Sequence, residues 1–161
     1  MVKVREIMSS PVKSIPPETL VKDAAAMLAE LNVSGVPVVE NDAVVGVFSE
    51  LDVLRSIKTT KKDMRLVFPS ISSLGIAFQE EVTQREIIEA YEEIGNTPVK
   101  EVMSKEVVTI QPDITLNEAI VLMVDRKIQR LPVVENKRLV GIVTRGGIIR
   151  GLAKERAANN K

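Results

Sequence analysis

The amino-acid sequence predicts an α/β (α+β) protein built from two β-α-β-β-α repeats, with a helical connector inserted between them. The main observation is an internal duplication, because residues 4–55 return 95 residues later without a gap. About 16 of the 52 aligned positions are identical. Each copy also carries apolar residues at helical spacing and two runs rich in β-branched residues. The predicted boundaries are 1–58 for repeat 1, 59–97 for the connector, and 98–161 for repeat 2 with its C-terminal helix.

Each repeat opens with a short extended segment and a helix. The segments are Val12 to Ile15 and Val107 to Ile110, and a proline follows each one after one further residue. In repeat 2, Thr115 with Glu118 three residues later predicts a capping box at the helix start. The apolar residues at helical spacing are Leu20, Ala24, Met27, Leu28 and Leu31 in repeat 1, and Leu116, Ile120, Met123 and Val124 in repeat 2.

The second half of each repeat predicts a β-hairpin and another helix. In repeat 1 the apolar runs 36–39 and 43–48 flank Asn41-Asp42, which is a hairpin turn signal. Asn136-Lys137 occupies the same place in repeat 2. The second helix is expected to begin near Ser49 in repeat 1 and near Thr144 in repeat 2.

The connector belongs to neither repeat. Thr83 and Glu86 predict a helix start, and Gly95-Asn96 predicts its end. The predicted apolar face consists of Ile87, Ile88, Tyr91 and Ile94. Three of the four aromatic residues, Phe68, Phe78 and Tyr91, lie in this segment. It is either a connector that packs across the repeats or a lid or partner-docking surface.

Composition excludes several classes of function. The chain has no Cys and no His, which removes thiol nucleophiles, thiolate metal sites and the most common general base. Carboxylate-only metal sites stay open, but no metal site is predicted. The 22 basic and 22 acidic residues balance, and the lysine and arginine clusters have acidic neighbours, so nucleic acid is not the expected partner. No apolar run is long enough for a membrane span or a signal peptide, which favours a cytoplasmic protein.

A hydroxyl and a carboxylate mark the start of the second helix of repeat 1. Gly46, Ser49 and Asp52 form the pattern G-x-x-[ST]-x-x-D. As a purely structural feature, Ser49 caps the helix and Asp52 interacts favourably with its dipole. As a binding feature, the helix start suits a phosphate, and a carboxylate can accept both hydrogens of a ribose diol. The two interpretations are compatible.

The duplicated unit with this motif resembles the cystathionine-β-synthase (CBS) domain, and two such domains form a Bateman module. The run 128–134 and the opening residues 4–8 are also similar to the family pattern. The resemblance implies a pseudo-twofold pair of repeats, of the stand-alone prokaryotic or archaeal type. It also implies two clefts between the repeats that bind AMP, ADP, ATP or S-adenosylmethionine as regulatory ligands. Such a module senses metabolites or energy state without a catalytic cofactor, forms a homodimer, and acts on a protein target that the sequence does not name.

The resemblance also implies roles for individual residues. In repeat 1, Asp52 would hold the ribose, and Ser49 a phosphate or the ribose. The base would lie against Ile15, Pro16, Val33, Val36 and Pro37. Backbone groups near Ser14-Ile15 and Ser34-Gly35 would form hydrogen bonds with the edge of the base. The corresponding residues in repeat 2 are Thr109, Ile128, Gln129, Arg130, Leu131, Pro132, Thr144 and Arg145. Ordinary core packing is the alternative for the apolar positions.

Repeat 2 departs from the motif, because Gly147 stands where the carboxylate should be. It also has Arg130 and Arg145 where repeat 1 has Gly35 and Glu50. We therefore expect an asymmetric module in which repeat 1 binds the nucleoside. The two arginines would serve a second site or a phosphate tail, unless they are simply surface residues. A ligand-independent dimerisation scaffold is the alternative function, and the missing Cys argues against the chemistry of IMP dehydrogenases, which contain CBS pairs.

Overall fold

The computed structural model describes residues 2–66 and 84–160. The chain divides into two compact units. The repeat 1 unit consists of Ile15–Val38 and Gly46–Lys105, and the repeat 2 unit consists of Met1–Ser14, Val39–Val45 and Glu106–Lys161. Each unit therefore contains most of one repeat together with the short segment that precedes the other repeat.

The described residues form six α-helices and four strands. In chain order these are α1 (Val4–Ile7), α2 (Val21–Leu31), β1 (Gly35–Glu40), β2 (Ala43–Ser49), α3 (Glu50–Leu66), α4 (Gln84–Gly95), a 3-10 turn (Val99–Glu101), α5 (Leu116–Arg126), β3 (Arg130–Glu135), β4 (Arg138–Thr144) and α6 (Arg145–Asn159). The mixture of helix and strand confirms the predicted class. Each repeat has the predicted order of helix, two strands and helix.

The predicted first strand of each repeat is wrong in extent. Ile15 and Ile110 each form only a single parallel bridge, to Val38 and Val133 respectively. The two sheets of the described chain therefore contain two strands each, β1 with β2 and β3 with β4. A proline two residues after each bridge lacks the N–H that a longer ladder needs, which is consistent with the short pairing.

The hairpin turns confirm the prediction. Asn41 and Asp42 have φ values of 50° and 65°, and Asn136 and Lys137 have φ values of 51° and 64°. Two consecutive residues with positive φ give the type I′ turn, whose twist matches that of the flanking strands. In the second hairpin, this turn pairs Arg130 with Thr144 at the open end.

The capping box of α5 is confirmed. The backbone N–H of Thr115 donates to Oε2 of Glu118 at 2.7 Å, and the Thr115 hydroxyl donates to the same oxygen at 2.8 Å. The N–H of Glu118 donates in return to Thr115 Oγ1 at 3.3 Å. In the matching helix α2, Leu20 occupies the cap position and provides no side-chain cap.

The buried faces of α2 and α5 differ in part from the predicted ones. The buried residues are Val21, Ala24 and Leu28 in α2, and Leu116, Ala119 and Met123 in α5. Two residues predicted to be on these faces, Leu31 and Val124, are 38% and 69% exposed. Helical spacing identifies an apolar stripe but does not fix which edge of that stripe meets the core.

Each unit has its own apolar core. In the repeat 2 unit the core consists of Val4, Ile110, Leu116, Ala119, Met123, Leu131, Val133, Val143 and Ile148. In the repeat 1 unit the buried apolar residues are Ile15, Val21, Ala24, Leu28, Val36, Val38, Phe48, Val53, Ala90, Ile94 and Val99. Val4 and Val99 begin the short segments that precede repeat 1 and repeat 2. Val4 lies in the core of the repeat 2 unit, and Val99 lies in the core of the repeat 1 unit.

A methionine against a glycine fixes each of these preceding segments to a strand. Ser104 exchanges backbone hydrogen bonds of 3.0 Å with Val47, and this pairing lays Met103 over Gly46. Ser9 pairs in the same way with Ile142, and Met8 lies over Gly141. A Cβ atom on Gly46 would overlap the Met103 side chain, and one on Gly141 would overlap Met8. The repeated Met and Gly positions therefore have a packing origin.

The connector helix α4 packs against α2 and α3 in the repeat 1 unit. Its buried residues are Ala90, Ile94 and Gly95. The predicted apolar face is therefore correct only at Ile94, because Ile87, Ile88 and Tyr91 are exposed. The predicted cap residue Thr83 and the aromatic residues Phe68 and Phe78 lie outside the described residues.

We expect Gly46→Ala to lower the free energy of unfolding by about 1–3 kcal/mol, because the added methyl group overlaps Met103. Met103→Ala should remove the overlap, so the double variant should lose less stability than the two single variants together. Urea unfolding measures each value. Gly146→Ala is the control, since its nearest atom is the mobile end of Arg150 and alanine favours helix. Strict additivity of the two changes would contradict the proposed contact.

The capping box predicts a specific pH dependence. The backbone N–H and the hydroxyl of Thr115 hold the pKa of the Glu118 carboxyl below its usual value. A carboxyl with a lowered pKa in the folded chain stabilises the fold above its unfolded pKa, and this contribution is lost as the pH falls through the folded pKa.

We therefore expect Glu118→Gln to be less stable than the wild type near neutral pH and to lose less stability on acidification. Urea unfolding from about pH 7 to about pH 3 tests this expectation. Glu92→Gln, which changes an exposed glutamate of α4, is the control. Parallel stability curves for Glu118→Gln and the wild type would refute the assignment.

Candidate functional site

The start of α3 carries the predicted hydroxyl and carboxylate. Asp52 lies in the first turn and is only 4% exposed. The backbone N–H of Ser49 donates to Asp52 Oδ2 at 2.8 Å, and the Ser49 hydroxyl donates to the same oxygen at 3.2 Å. Arg55 brings Nη1 to 3.9 Å from the other oxygen, Oδ1. The carboxylate therefore caps the junction between β2 and α3 with one oxygen and faces a cation with the other.

The start of α6 is capped by a hydroxyl, and its first turn contains no acidic residue. Thr144 is the last residue of β4, and its Oγ1 accepts a hydrogen bond from the N–H of Gly147 at 3.0 Å. The hydroxyl thus satisfies one of the free N–H groups at the helix start. Repeat 2 therefore keeps a capped helix although it lacks the carboxylate.

Equivalent backbone bonds bring the predicted segments of each repeat together. The N–H of Glu50 donates to the carbonyl of Ser34 at 3.0 Å, and the N–H of Arg145 donates to that of Gln129 at 3.2 Å. These bonds tie the start of the second helix to the residue that precedes the first hairpin strand. Ile15 is tied to the same strand, since its N–H donates to the Pro37 carbonyl at 3.1 Å. The Ile15 N–H is therefore already hydrogen-bonded within the protein.

The predicted site residues differ widely in exposure. In repeat 1, Ser49 is partly buried and Ser14, Pro16, Val33 and Ser34 are exposed, whereas Ile15, Gly35, Val36, Pro37 and Asp52 are buried. In repeat 2, Thr109, Gln129 and Arg145 are exposed, Ile128, Arg130 and Thr144 are partly buried, and Leu131 and Pro132 are buried. Ser14 belongs to the repeat 2 unit, although it is one of the residues predicted for the site of repeat 1. Both prolines are almost fully buried, so they contribute to the core of each hairpin.

Asp52 lines a cavity of about 430 Å³ in the repeat 1 unit. The other lining residues are Arg55, Ser56, Thr59, Glu101, Val102, Met103 and Ser104. Of the residues predicted for the site, only Asp52 belongs to this lining. Sequence reasoning missed Arg55, although its spacing of three residues from Asp52 on a helix is a signal for a side-chain pair.

A larger cleft of about 690 Å³ lies in the repeat 2 unit beside α5 and α6. Its walls are mainly apolar, and Lys127 and Arg145 contribute the charges. The complete lining is Ile120, Met123, Val124, Lys127, Ile128, Gln129, Arg145, Gly146, Ile148 and Ile149. Arg130, which we predicted to act with Arg145, is not part of this lining and instead faces Thr144 in the hairpin ladder.

Among the described side chains, at 2–59 and 84–160, no three acidic groups lie close enough together to hold a metal ion. No helix in the described ranges 2–66 and 84–160 combines the length and the apolar character that crossing a membrane requires.

Comparison with known proteins identifies the repeats. An uncharacterized protein of Methanocaldococcus jannaschii, MJ1426, is 34% identical over 152 residues, which cover 92% of this chain and 90% of the relative. Among solved structures, CBSX2 of Arabidopsis thaliana in complex with AMP has a TM-score of 0.69 at 23% identity and covers 96% of this chain and 98% of its own.

A second solved structure has a similar fold. The CBS domain pair of protein MJ0100, in complex with 5′-methylthioadenosine and S-adenosyl-L-methionine, has a TM-score of 0.67 at 21% identity. It covers 96% of this chain and 98% of its own. The family model of the CBS domain matches twice, at residues 4–59 and 99–154. With two matches that together span more than half of its residues, the chain belongs to the CBS domain family.

Proposed function

We propose that this protein is a non-catalytic, cytoplasmic regulatory module that binds an adenosine-containing ligand and signals by a change of conformation or assembly. The observation that carries the proposal is the buried Asp52 carboxylate at the start of α3, which lines a cavity within a G-x-x-[ST]-x-x-D motif. A buried carboxylate is costly unless it is hydrogen-bonded. A carboxylate is a strong hydrogen-bond acceptor, and the cavity that Asp52 lines brings it within reach of the hydroxyl groups of a bound ligand.

The structural neighbours support the choice of ligand class. CBSX2 was solved in complex with AMP, and the CBS domain pair of MJ0100 in complex with 5′-methylthioadenosine and S-adenosyl-L-methionine. These molecules share an adenosine group and differ in the charge and bulk of the 5′ substituent. We therefore infer adenosine recognition for this chain, with AMP, ADP, ATP or S-adenosylmethionine as the ligands to test.

We assign the residue roles as follows. Asp52 accepts hydrogen bonds from the ribose hydroxyls, and Ser49 positions Asp52 while its hydroxyl contacts the ribose or a phosphate. The exposed edges near Val33 and Ser34 contact the base in repeat 1. In repeat 2, Arg130 and Arg145 provide positive charge for a phosphate, because a guanidinium matches phosphate geometry.

A homodimer is the proposed assembly, and a ligand-independent scaffold is the second candidate function. Leu54 on α3 and Ile149 on α6 occupy aligned positions of the two repeats and are 60% and 65% exposed. Exposed apolar side chains on these two helices favour burial against a second chain. This observation alone does not require a ligand, which is why the scaffold stays a candidate.

A thermal-shift panel tests the ligand class. We expect AMP, ADP, ATP or S-adenosylmethionine to raise the unfolding temperature, whereas GTP and IMP should not. A ligand at 100 times its dissociation constant contributes about 2.7 kcal/mol, which is roughly 5–10 °C for a chain of this size. No shift with any adenosine ligand would favour the scaffold.

Asp52 substitutions should affect stability even without ligand. Asp52→Ala removes the acceptor of two hydrogen bonds from Ser49, so we expect a loss of about 1–3 kcal/mol in urea unfolding. Asp52→Asn keeps one acceptor oxygen and should lose less. The ligand effect of either variant must therefore be measured against its own ligand-free state. Equal stability of Asp52→Ala and the wild type would contradict the cap.

A further inference from the structure

The second helices of the two repeats differ in the size of one surface residue. Repeat 1 has Leu51 and Leu54 on α3 where repeat 2 has Gly146 and Ile149 on α6. Leu51 is 46% exposed and Leu54 is 60% exposed. Residues three apart on a helix are neighbours on its surface, so these two leucines form one exposed apolar patch, which we call the α3 ridge.

The glycine leaves the matching surface of repeat 2 concave. Gly146 has no side chain, and it lines the 690 Å³ cleft together with Val124 of α5 and Ile149 of α6. Both of these apolar wall residues are exposed, so the cleft opens at the surface of the repeat 2 unit. It has room for more than one aliphatic side chain. Repeat 1 therefore presents a ridge at the place where repeat 2 presents a cleft.

The charges beside the ridge and the cleft have opposite signs. Glu50 directly precedes the ridge and is exposed. Lys127 and Arg145 are the charged residues of the cleft lining. Among the described side chains, none of these three groups has an ion-pair partner. Surfaces of opposite charge attract each other and fix the orientation in which two chains meet.

We propose that the protein pairs with a second copy of itself head to tail, so that the α3 ridge of one protomer enters the repeat 2 cleft of the other. This inference rests on the proposed homodimer and deepens it, because it names the two surfaces that meet. Insertion of Leu51 beside Gly146 also brings Glu50 to the positively charged side of the cleft. Contact between like repeats would instead set ridge against ridge and leave the clefts unfilled. In a twofold dimer, the contact between ridge and cleft forms twice, once from each protomer.

Cross-linking of introduced cysteines tests the pairing, because the natural chain contains no cysteine. Leu54→Cys marks the ridge, and Ile149→Cys marks the cleft. Two chains with different affinity tags are co-expressed, the mixed dimer is purified through both tags, and a short bis-maleimide is added. We expect a cross-linked dimer when one chain carries Leu54→Cys and the other carries Ile149→Cys. Dimers that carry Leu54→Cys twice, or Ile149→Cys twice, should give almost none.

Charge reversal tests the orientation without cysteines. Glu50→Lys replaces an attraction by a repulsion and should raise the dissociation constant of the dimer about fivefold, as measured by sedimentation equilibrium. Lys127→Glu should also weaken the dimer, and the combination of both changes should recover most of the loss. Glu92→Lys, which makes the same change at an exposed position of α4, is the control and should have no effect.

Filling the cleft tests the fit of the ridge. Gly146→Leu gives repeat 2 the residue that repeat 1 has at the aligned position, and it should weaken the dimer. Gly146→Ala is the matched control, because its single methyl group leaves most of the cleft open. Both changes replace a glycine within a helix, so each should keep the fold, which urea unfolding checks.

The outcomes separate this inference from the proposed function. A cross-link in the dimer that carries Leu54→Cys twice, or equal cross-linking of like and mixed pairs, overturns the head-to-tail pairing but keeps the homodimer. A dimer that gives no cross-link in any pair, or that Glu50→Lys leaves unchanged, also overturns it. A monomeric chain overturns both the pairing and the homodimer, whereas the thermal-shift panel alone decides the proposed ligand class.

Discussion

The backbone bond from the first residue of the second helix to the residue before the hairpin fixes where that helix starts in both repeats. It joins Glu50 to Ser34 in repeat 1 and Arg145 to Gln129 in repeat 2. A helix start has N–H groups without partners inside the helix, and here one of them is bound by main chain. The cap side chain then satisfies another. Because main-chain atoms make this contact, both repeats form it although Glu50 and Arg145 carry opposite charges.

The two repeats cap the start of the second helix with different side chains. Asp52 and Ser49 form a carboxylate-centred cap, whereas Thr144 caps its helix with a hydroxyl alone. The glycine at position 147 leaves the backbone intact, since the Thr144 hydroxyl still accepts its N–H. One substitution thus changes the charge at the site while the helix start keeps a cap.

Sequence reasoning succeeded where the determining interactions are local. The capping box of Thr115 and Glu118 and the turn at Asn41-Asp42 depend on residues within a few positions of one another, and the structure contains both. It failed where distant packing decides. Val124 is exposed and Ala119 is buried, although both fit the apolar stripe of α5. The reach of Arg150 over Gly146 also depends on a side-chain rotamer, which a motif does not encode.

Asp52 combines the cap with the candidate ligand contact, and this combination constrains how the protein can respond. A ligand changes a conformational equilibrium only through its different affinities for the two states. Residues 101–104 form one wall of the cavity beside Asp52, and Met103 of that wall is fixed against Gly46. A ligand at Asp52 must therefore either fit the existing wall or move a segment that continues directly into repeat 2. A ligand that fits the wall would stabilise the unit in place, whereas one that moves the wall must displace the contact between Met103 and Gly46. The contact between Met103 and Gly46 therefore limits how far the wall beside Asp52 can move.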